Sequence, residues 1–85
     1  MIFFLCPDFR GMTKIRNTEL LINFGQNLRK IRESNNISQE ELAYKADIPI
    51  NQVGRIERGE INTTISTLYS LAKALDICLK DLLDF

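Results

Sequence analysis

The stretch SQEELAYKADIPINQVGRIERG, residues 38–59, decides the fold of this 85-residue chain. Ser38 is a good N-cap, because its hydroxyl can accept a hydrogen bond from a free backbone N–H at a helix start. Glu41, three residues on, completes the pattern of a capping box, so a helix is predicted from Gln39. Its apolar residues recur at helical spacing, at Leu42, Ala43 and Ala46.

A turn and a second helix complete this stretch. The turn is predicted at Asp47 and Ile48, because Asp tolerates a left-handed backbone and the residue before a proline favours extended geometry. Pro49 is tolerated in the first turn of a helix, and Gly59 suits the position just after its end. The inward-facing apolar residues of this helix are Val53 and Ile56. Two short helices joined by a tight turn form a helix-turn-helix, a motif that suggests DNA binding.

Three further helices are predicted around this motif. Apolar spacing indicates a first helix from about Thr18, which can cap it, to residues 34–36, where an Asn can close it in a left-handed conformation. A fourth helix follows an N-cap at Thr64, and a short fifth helix follows a turn at Asp76 and Ile77. The apolar positions are Leu21, Phe24, Leu28 and Ile31 in the first helix and Ile65, Leu68, Leu71, Ala72 and Leu75 in the fourth. The sequence predicts an all-α domain of five helices.

Length and composition define the organisation of the chain. Eighty-five residues suffice for one small domain, and 45% hydrophobic with 26% charged residues is typical of soluble globular proteins. Residues 1–17 show no sustained period, so we expect an N-terminal arm that can be disordered, ahead of a domain at 18–85. The apolar start at residues 1–6 is too short for a secretion signal or a membrane span, which predicts a cytoplasmic protein.

Charge and residue types restrict the function. Eleven Lys and Arg residues balance eleven Asp and Glu residues, so we expect weak non-specific binding to nucleic acid. The chain has no histidine, and Cys6 and Cys78 lack metal-binding spacing, which predicts free thiols, no metal and no cofactor. It also lacks a glycine-rich phosphate loop and a spaced carboxylate pair, which argues against an enzyme.

Residues 24–83 resemble the Cro and lambda-repressor-like, or Xre-like, helix-turn-helix family. The segments that carry the resemblance are FGQNLRKIRE, ISQEELA, RIERGE and LAKALDI, in the order typical of the family. The resemblance implies a five-helix fold, a homodimer that binds a palindromic operator in double-stranded DNA, and transcriptional control. Carried over by position, the recognition helix spans residues 49–58. The base-contacting residues are then Ile50, Asn51, Gln52 and Arg55.

The side chains at these four positions suit base edges. Asn51 or Gln52 can bind the N6 and N7 edge of adenine, Arg55 can bind O6 and N7 of guanine, and Ile50 can contact a thymine methyl group. The alternative is a solvated helix face. Further residues are expected to contact phosphates, although capping and turn contacts account for the same residue types. These residues are Gln39, Arg58, Asn62, Thr63 and Thr64.

Two other sets are expected to support the fold and the assembly. The family uses the positions of Arg32 and Glu57 for a structural salt bridge between the first and third helices. The C-terminal helix is the expected homodimer surface, although some of its apolar residues must belong to the core. The candidates are Leu79, Leu82, Leu83 and Phe85.

Three departures from the family's pattern lie in the motif. Asp47 stands where Gly is usual, and Pro49 replaces a Ser or Thr cap worth about 1 kcal/mol. Gly54, inside the recognition helix, costs about 0.5–1 kcal/mol relative to Ala, and suggests close approach to the DNA backbone. Because of this glycine and the zero net charge, a second hypothesis stays open: a protein-interaction module, antitoxin-like or oligomerising, that has this fold and binds little DNA.

Overall fold

The computed structural model describes residues 17–85, which form five α-helices and no strand. The helices are α1 (Thr18–Ser34), α2 (Gln39–Ala46), α3 (Ile50–Glu57), α4 (Ile65–Ala74) and α5 (Leu79–Leu82). The predicted all-α class is confirmed. Within residues 17–85, no helix combines the length and apolar character that a membrane span requires. The predicted arm over residues 1–17 lies outside the described residues, apart from Asn17.

α1, α2 and α4 each begin after a residue whose side chain caps the helix, and one of the predicted caps needs correction. Asn17 is the N-cap of α1, and its Oδ1 accepts a hydrogen bond from the backbone N of Leu20 at 2.9 Å. The prediction that Thr18 caps α1 was therefore wrong by one residue, because Thr18 is already helical. Ser38 and Thr64 cap α2 and α4 as predicted, each accepting from the backbone N–H three residues on, at 3.0 and 3.2 Å.

The turns after α1, α2 and α4 each use one residue in the left-handed region. These residues are Asn36 (φ 58°), Asp47 (φ 59°) and Asp76 (φ 58°). Asn and Asp tolerate this conformation, so Asp47 forms the turn of the helix-turn-helix without the glycine that the family uses. The turn after α3 contains Gly59 at φ 75°, where an added Cβ would lie 2.8 Å from Ile22 Cα. Here both the backbone angle and the space require glycine.

All five helices contribute to one core. Its largest fully buried side chains are Leu28, Leu42, Val53, Ile56, Leu71 and Leu82. α2 packs on α3 and α4, while α1 packs on α3 and α5, so the motif is held from two sides. Ile65 was predicted on the inward face of α4, and this is wrong, since it is 71% exposed. It is the first residue of α4, and the buried residues of this helix begin only at Leu71.

The contact between α1 and α3 depends on Gly25. An added Cβ at this position would collide with the carbonyl oxygen of Ile56 and lie 2.5 Å from that of Glu57. Both oxygens belong to the backbone of α3 and cannot move independently of the helix. Gly25 therefore sets how closely the recognition helix approaches α1.

Candidate nucleic-acid interface

A buried ion pair joins α3 to α1. Arg32 Nε donates to Glu57 Oε2 at 2.6 Å, and Arg32 Nη2 donates to Oε1 at 3.1 Å. Arg32 Nη1 also donates to the backbone oxygen of Ile37 at 2.8 Å, so the guanidinium is held on both sides. The two residues are 8% and 7% exposed. The hydrogen bond with Glu57 raises the pKa of Arg32, which keeps the guanidinium charged.

Gln39 extends this pair to α2. Its Nε2 donates to Glu57 Oε1 at 2.9 Å, which links the first residue of α2 to the last residue of α3. An added Cβ at Gly54 would lie at ordinary contact distance, 3.5 Å, from Gln39 Oε1 and at a tighter 3.1 Å from Arg58 Nη1, at the end of a flexible side chain. Side chains of the protein itself thus lie next to the glycine inside α3. The side-chain nitrogen of Gln39, a predicted phosphate contact, is occupied within the domain.

α3 presents the residues predicted to contact bases at its surface. Ile50 is 47% exposed, Asn51 and Arg55 are exposed, and Gln52 is half-buried. The other residues of the helix point into the domain; they are Val53, Gly54, Ile56 and Glu57. The first turn has no side-chain cap, because its N-cap is Pro49. We call the exposed set of Ile50, Asn51 and Arg55, with Gln52 at its margin, the outer face of α3.

Two arginines and one carboxylate form a cluster at the C-terminal end of α3. Arg58 Nε donates to Glu60 Oε2 at 2.6 Å, and Arg55 Nε lies 3.6 Å from Glu60 Oε1. All three side chains are about half exposed. The hydrogen bond from Arg58 lowers the pKa of Glu60 and raises the pKa of Arg58, so both groups are ionised at neutral pH. The basic side chains next to the outer face are therefore partly neutralised.

The residues predicted to contact phosphates after α3 differ in their surroundings. Asn62 is exposed. Thr64 is exposed as well and serves as the cap of α4, and its hydroxyl lies 3.0 Å from that of Thr67. Thr63 is half-buried, and its Oγ1 is enclosed without a hydrogen-bond partner among residues 17–85. Of the predicted phosphate set, Arg58, Asn62 and Thr64 are thus accessible from solvent.

A second exposed surface is apolar and lies where α1 meets the C-terminus. Leu20, Leu83 and Phe85 are 50%, 46% and 51% exposed there, and the Phe85 ring packs on Phe24 with 6.3 Å between centroids. They border a groove of about 140 Å³, also lined by Leu21, Phe24, Asn62, Thr63 and Leu68. We call Leu20, Leu83 and Phe85 the apolar patch.

The C-terminal residues predicted for the dimer surface divide between this patch and the core. Leu82 is fully buried, so its assignment to the surface was wrong. Leu79 is half-buried and packs against the core. The reason is the short length of α5, whose single turn points residues three apart, Leu79 and Leu82, to the same inner side.

Two residues of these surfaces were missed in the sequence. Glu60 follows Arg58 by two residues, and the intervening glycine at φ 75° turns the chain so that the carboxylate meets both arginines. That glycine was the available signal, because a residue after a left-handed turn is brought back towards the helix end. Leu20 begins the apolar run Leu20–Ile22. Three consecutive residues of a helix cannot all lie on its buried face, so this run was the signal for an exposed apolar residue.

Two helices joined by a tight turn, with buried inner faces and a polar and basic outer face on the second helix, define a helix-turn-helix DNA-binding domain. Residues 28–82 match the Helix-turn-helix family. The chain belongs to this family of DNA-binding transcriptional regulators, as its sequence indicates.

Several relatives are control proteins. Control protein C.BamHI from Bacillus amyloliquefaciens is 44% identical over 63 residues, which cover 73% of this chain and 78% of the relative. Control protein C.SmaI from Serratia marcescens is 45% identical over 58 residues, covering 68% and 69%. The crystal structure of the restriction-modification controller protein C.AhdI from Aeromonas hydrophila superposes with a TM-score of 0.72 at 40% identity, covering 73% of this chain and 94% of that one. The predicted lambda-repressor-like fold is thereby confirmed.

Proposed function

We propose that this protein is a controller of transcription that binds a palindromic operator as a homodimer and regulates genes of a restriction-modification system. The observation that carries the proposal is the exposed outer face of α3, in a chain 44% identical to a control protein. A regulator of this kind acts on chromosomal or plasmid DNA, which supports the predicted cytoplasmic location.

In this proposal, α3 enters the major groove with its outer face towards the bases. Arg55 donates two hydrogen bonds to a guanine, Asn51 or Gln52 binds an adenine, and Ile50 contacts a thymine methyl group. Each good bidentate contact discriminates against a wrong base by about 1–3 kcal/mol. The burial of the remaining residues of α3 supports this assignment, because only the outer face is available.

Phosphate contacts are proposed at both ends of the motif. Arg58, Asn62 and Thr64 are exposed next to α3 and suit the flanking backbone of the duplex. The partnered side chain of Gln39 and the enclosed hydroxyl of Thr63 favour a smaller role for these two residues. Gln39 would contribute through the backbone N–H groups at the start of α2.

The dimer is proposed to form through the apolar patch. Leu20, Leu83 and Phe85 are large, adjacent to one groove and about half exposed, and a second copy would remove them from water. A two-fold dimer also doubles the number of base pairs in contact, and it places two recognition helices about 34 Å apart, one turn of DNA. The residues predicted from sequence were chosen by their position in the C-terminal helix. The residues of the apolar patch are chosen by their exposure, and this favours the patch as the interface.

Competition between a selected and a scrambled duplex tests this function. The full chain first selects duplexes from a random pool, and fluorescence anisotropy then gives the Kd for the selected duplex and for its scrambled version. We expect a specificity ratio of about 10³ or more at moderate salt. A ratio near one, even at low salt, would reject the proposal and favour a protein-interaction module.

Arg55→Ala tests the assignment of the outer face. It should lose about 5- to 150-fold in affinity for the selected duplex, and relax the preference at one base position in each half-site. Lys73→Ala is the matched control, because it removes the same charge from an exposed position on α4. An equal loss with Arg55→Ala on selected and scrambled duplexes would show that this arginine only contacts phosphate.

A further inference from the structure

Glu60 is fixed both through its backbone and through its side chain. Its backbone N–H donates to the carbonyl oxygen of Arg55 at 2.9 Å, after the left-handed turn at Gly59. Its carboxylate accepts from Arg58 Nε at 2.6 Å and lies 3.6 Å from Arg55 Nε. One acidic side chain thus bridges Arg55, which belongs to the outer face of α3, and Arg58, which follows the helix.

This bridge contributes little to folding but stands where DNA would lie. Ion pairs between half-exposed side chains have small effects on stability. A carboxylate at a DNA-binding surface also repels phosphates, and it neutralises part of the positive charge that attracts them. The net charge of the whole chain is zero, so a positive potential at this surface depends on where the basic side chains lie. The main effect of Glu60 is therefore expected on binding.

We propose that Glu60 is a specificity-determining residue, which orients Arg55 towards the bases and competes with phosphate for Arg58. On the operator, Arg58 exchanges the carboxylate for a phosphate, and the base contacts of the restrained Arg55 compensate for the exchange. On random DNA no base contact compensates for this exchange, so Arg58 keeps the carboxylate and the phosphate contact is not made. The proposal rests on the DNA-binding function proposed above and adds a mechanism by which a neutral protein rejects non-operator DNA.

A second exposed glutamate provides a matched control. Glu33 on α1 accepts from Arg29 Nε at 3.0 Å, lies 3.9 Å from Arg32 Nη2 and is 56% exposed. Glu33→Gln therefore removes one negative charge and one exposed carboxylate that is paired with arginine, as Glu60→Gln does. The difference is that Glu33 lies outside the helix-turn-helix.

The experiment measures Kd for the selected and scrambled duplexes between 50 and 200 mM salt, for wild type, Glu60→Gln and Glu33→Gln. One added phosphate contact should increase the slope of log Kd against log salt concentration by about 0.9. Over this fourfold salt range, that slope corresponds to an additional change in Kd of about 3.5-fold. Glu60→Gln should thus tighten binding to the scrambled duplex about 3- to 10-fold and lower the specificity ratio at least about threefold. Glu33→Gln should leave this ratio at the wild-type value.

Two further measurements separate charge from orientation. Glu60→Asp keeps the charge but is one methylene shorter, so it should weaken binding to the selected duplex without tightening binding to the scrambled one. In the DNA-free protein, ¹⁵N relaxation of the Arg58 Nε–H group should show a loss of order in Glu60→Gln, and none in Glu33→Gln.

The outcomes distinguish this proposal from the underlying function. Equal specificity ratios for Glu60→Gln and Glu33→Gln, or an Arg58 side chain that stays ordered in Glu60→Gln, would overturn the role of Glu60. A wild-type protein without preference for any duplex would instead overturn the DNA-binding function itself.

Discussion

Replacing Glu57 by Ala should remove much of the stability of the domain. Glu57 is 7% exposed and accepts hydrogen bonds from Arg32 at 2.6 and 3.1 Å and from Gln39 at 2.9 Å. Its removal takes from a buried guanidinium its closest counter-charge and leaves only the exposed Glu33, 3.9 Å from Arg32 Nη2, which should cost about 3–5 kcal/mol. The total free energy of unfolding of a domain is typically about 5–15 kcal/mol. At about 4–8 °C per kcal/mol for a domain of this size, the midpoint of thermal unfolding should fall by roughly 12–40 °C.

Urea unfolding followed by circular dichroism measures this loss directly. Two controls define its origin. Glu33→Ala breaks an exposed pair with Arg29 and should cost under about 1 kcal/mol. The double variant Arg32→Met with Glu57→Met removes both buried charges, and should therefore be much closer to wild type than Glu57→Ala. A loss below about 1 kcal/mol in Glu57→Ala would refute the conclusion that this ion pair holds α3 in place.

Three other changes test separate parts of the structure. Gly25→Ala should cost about 1–3 kcal/mol of stability, because its Cβ meets backbone atoms. Gly54→Ala should change stability by under about 1 kcal/mol, since only flexible side chains surround it. Equal shifts of the thermal midpoint in the two variants would contradict this difference. Phe85→Ala should shift sedimentation equilibrium towards monomer without loss of helix content, and an unchanged dimer would disprove the apolar patch as the interface. The pKa of Glu60 lies below its ordinary value of 4.5, so its stabilising contribution is present above that pH and is lost as the pH falls through the lowered pKa. A carbon NMR titration should therefore show a midpoint that rises in Arg58→Ala, and an unchanged midpoint would rule out this cause.

Local signals in the sequence were sufficient for the five helices and for most of their ends. The caps at Ser38 and Thr64 and the left-handed turn at Asp47 depend on neighbouring residues only, and the structure has each of them where it was predicted. The recognition helix begins at Ile50 rather than at Pro49, which is its N-cap. The outer face of α3 was also predictable, because helical periodicity assigns Val53 and Ile56 to the inside and leaves Ile50, Asn51 and Arg55 on the other side.

Features that depend on distant or turn-linked contacts were not predictable in the same way. The apolar character of Leu82 and Leu83 does not show which of them faces the core, and only the packing of α5 on α1 and α4 decides this. The sequence does not show that Gly25 must be a glycine. The backbone of α3 lies too close for any side chain at this position. The bridge from Glu60 to two arginines requires the path of the chain through Gly59.

The central claim is that the outer face of α3 recognises a specific operator as part of a dimer. Selection of duplexes from a random pool by the full chain, repeated with Arg55→Ala, tests it most directly. We predict a two-fold symmetric sequence with half-sites about one helical turn apart, and the loss of one guanine preference per half-site in Arg55→Ala. A pool without enrichment, or an enriched sequence that is asymmetric and unchanged by Arg55→Ala, would contradict the claim.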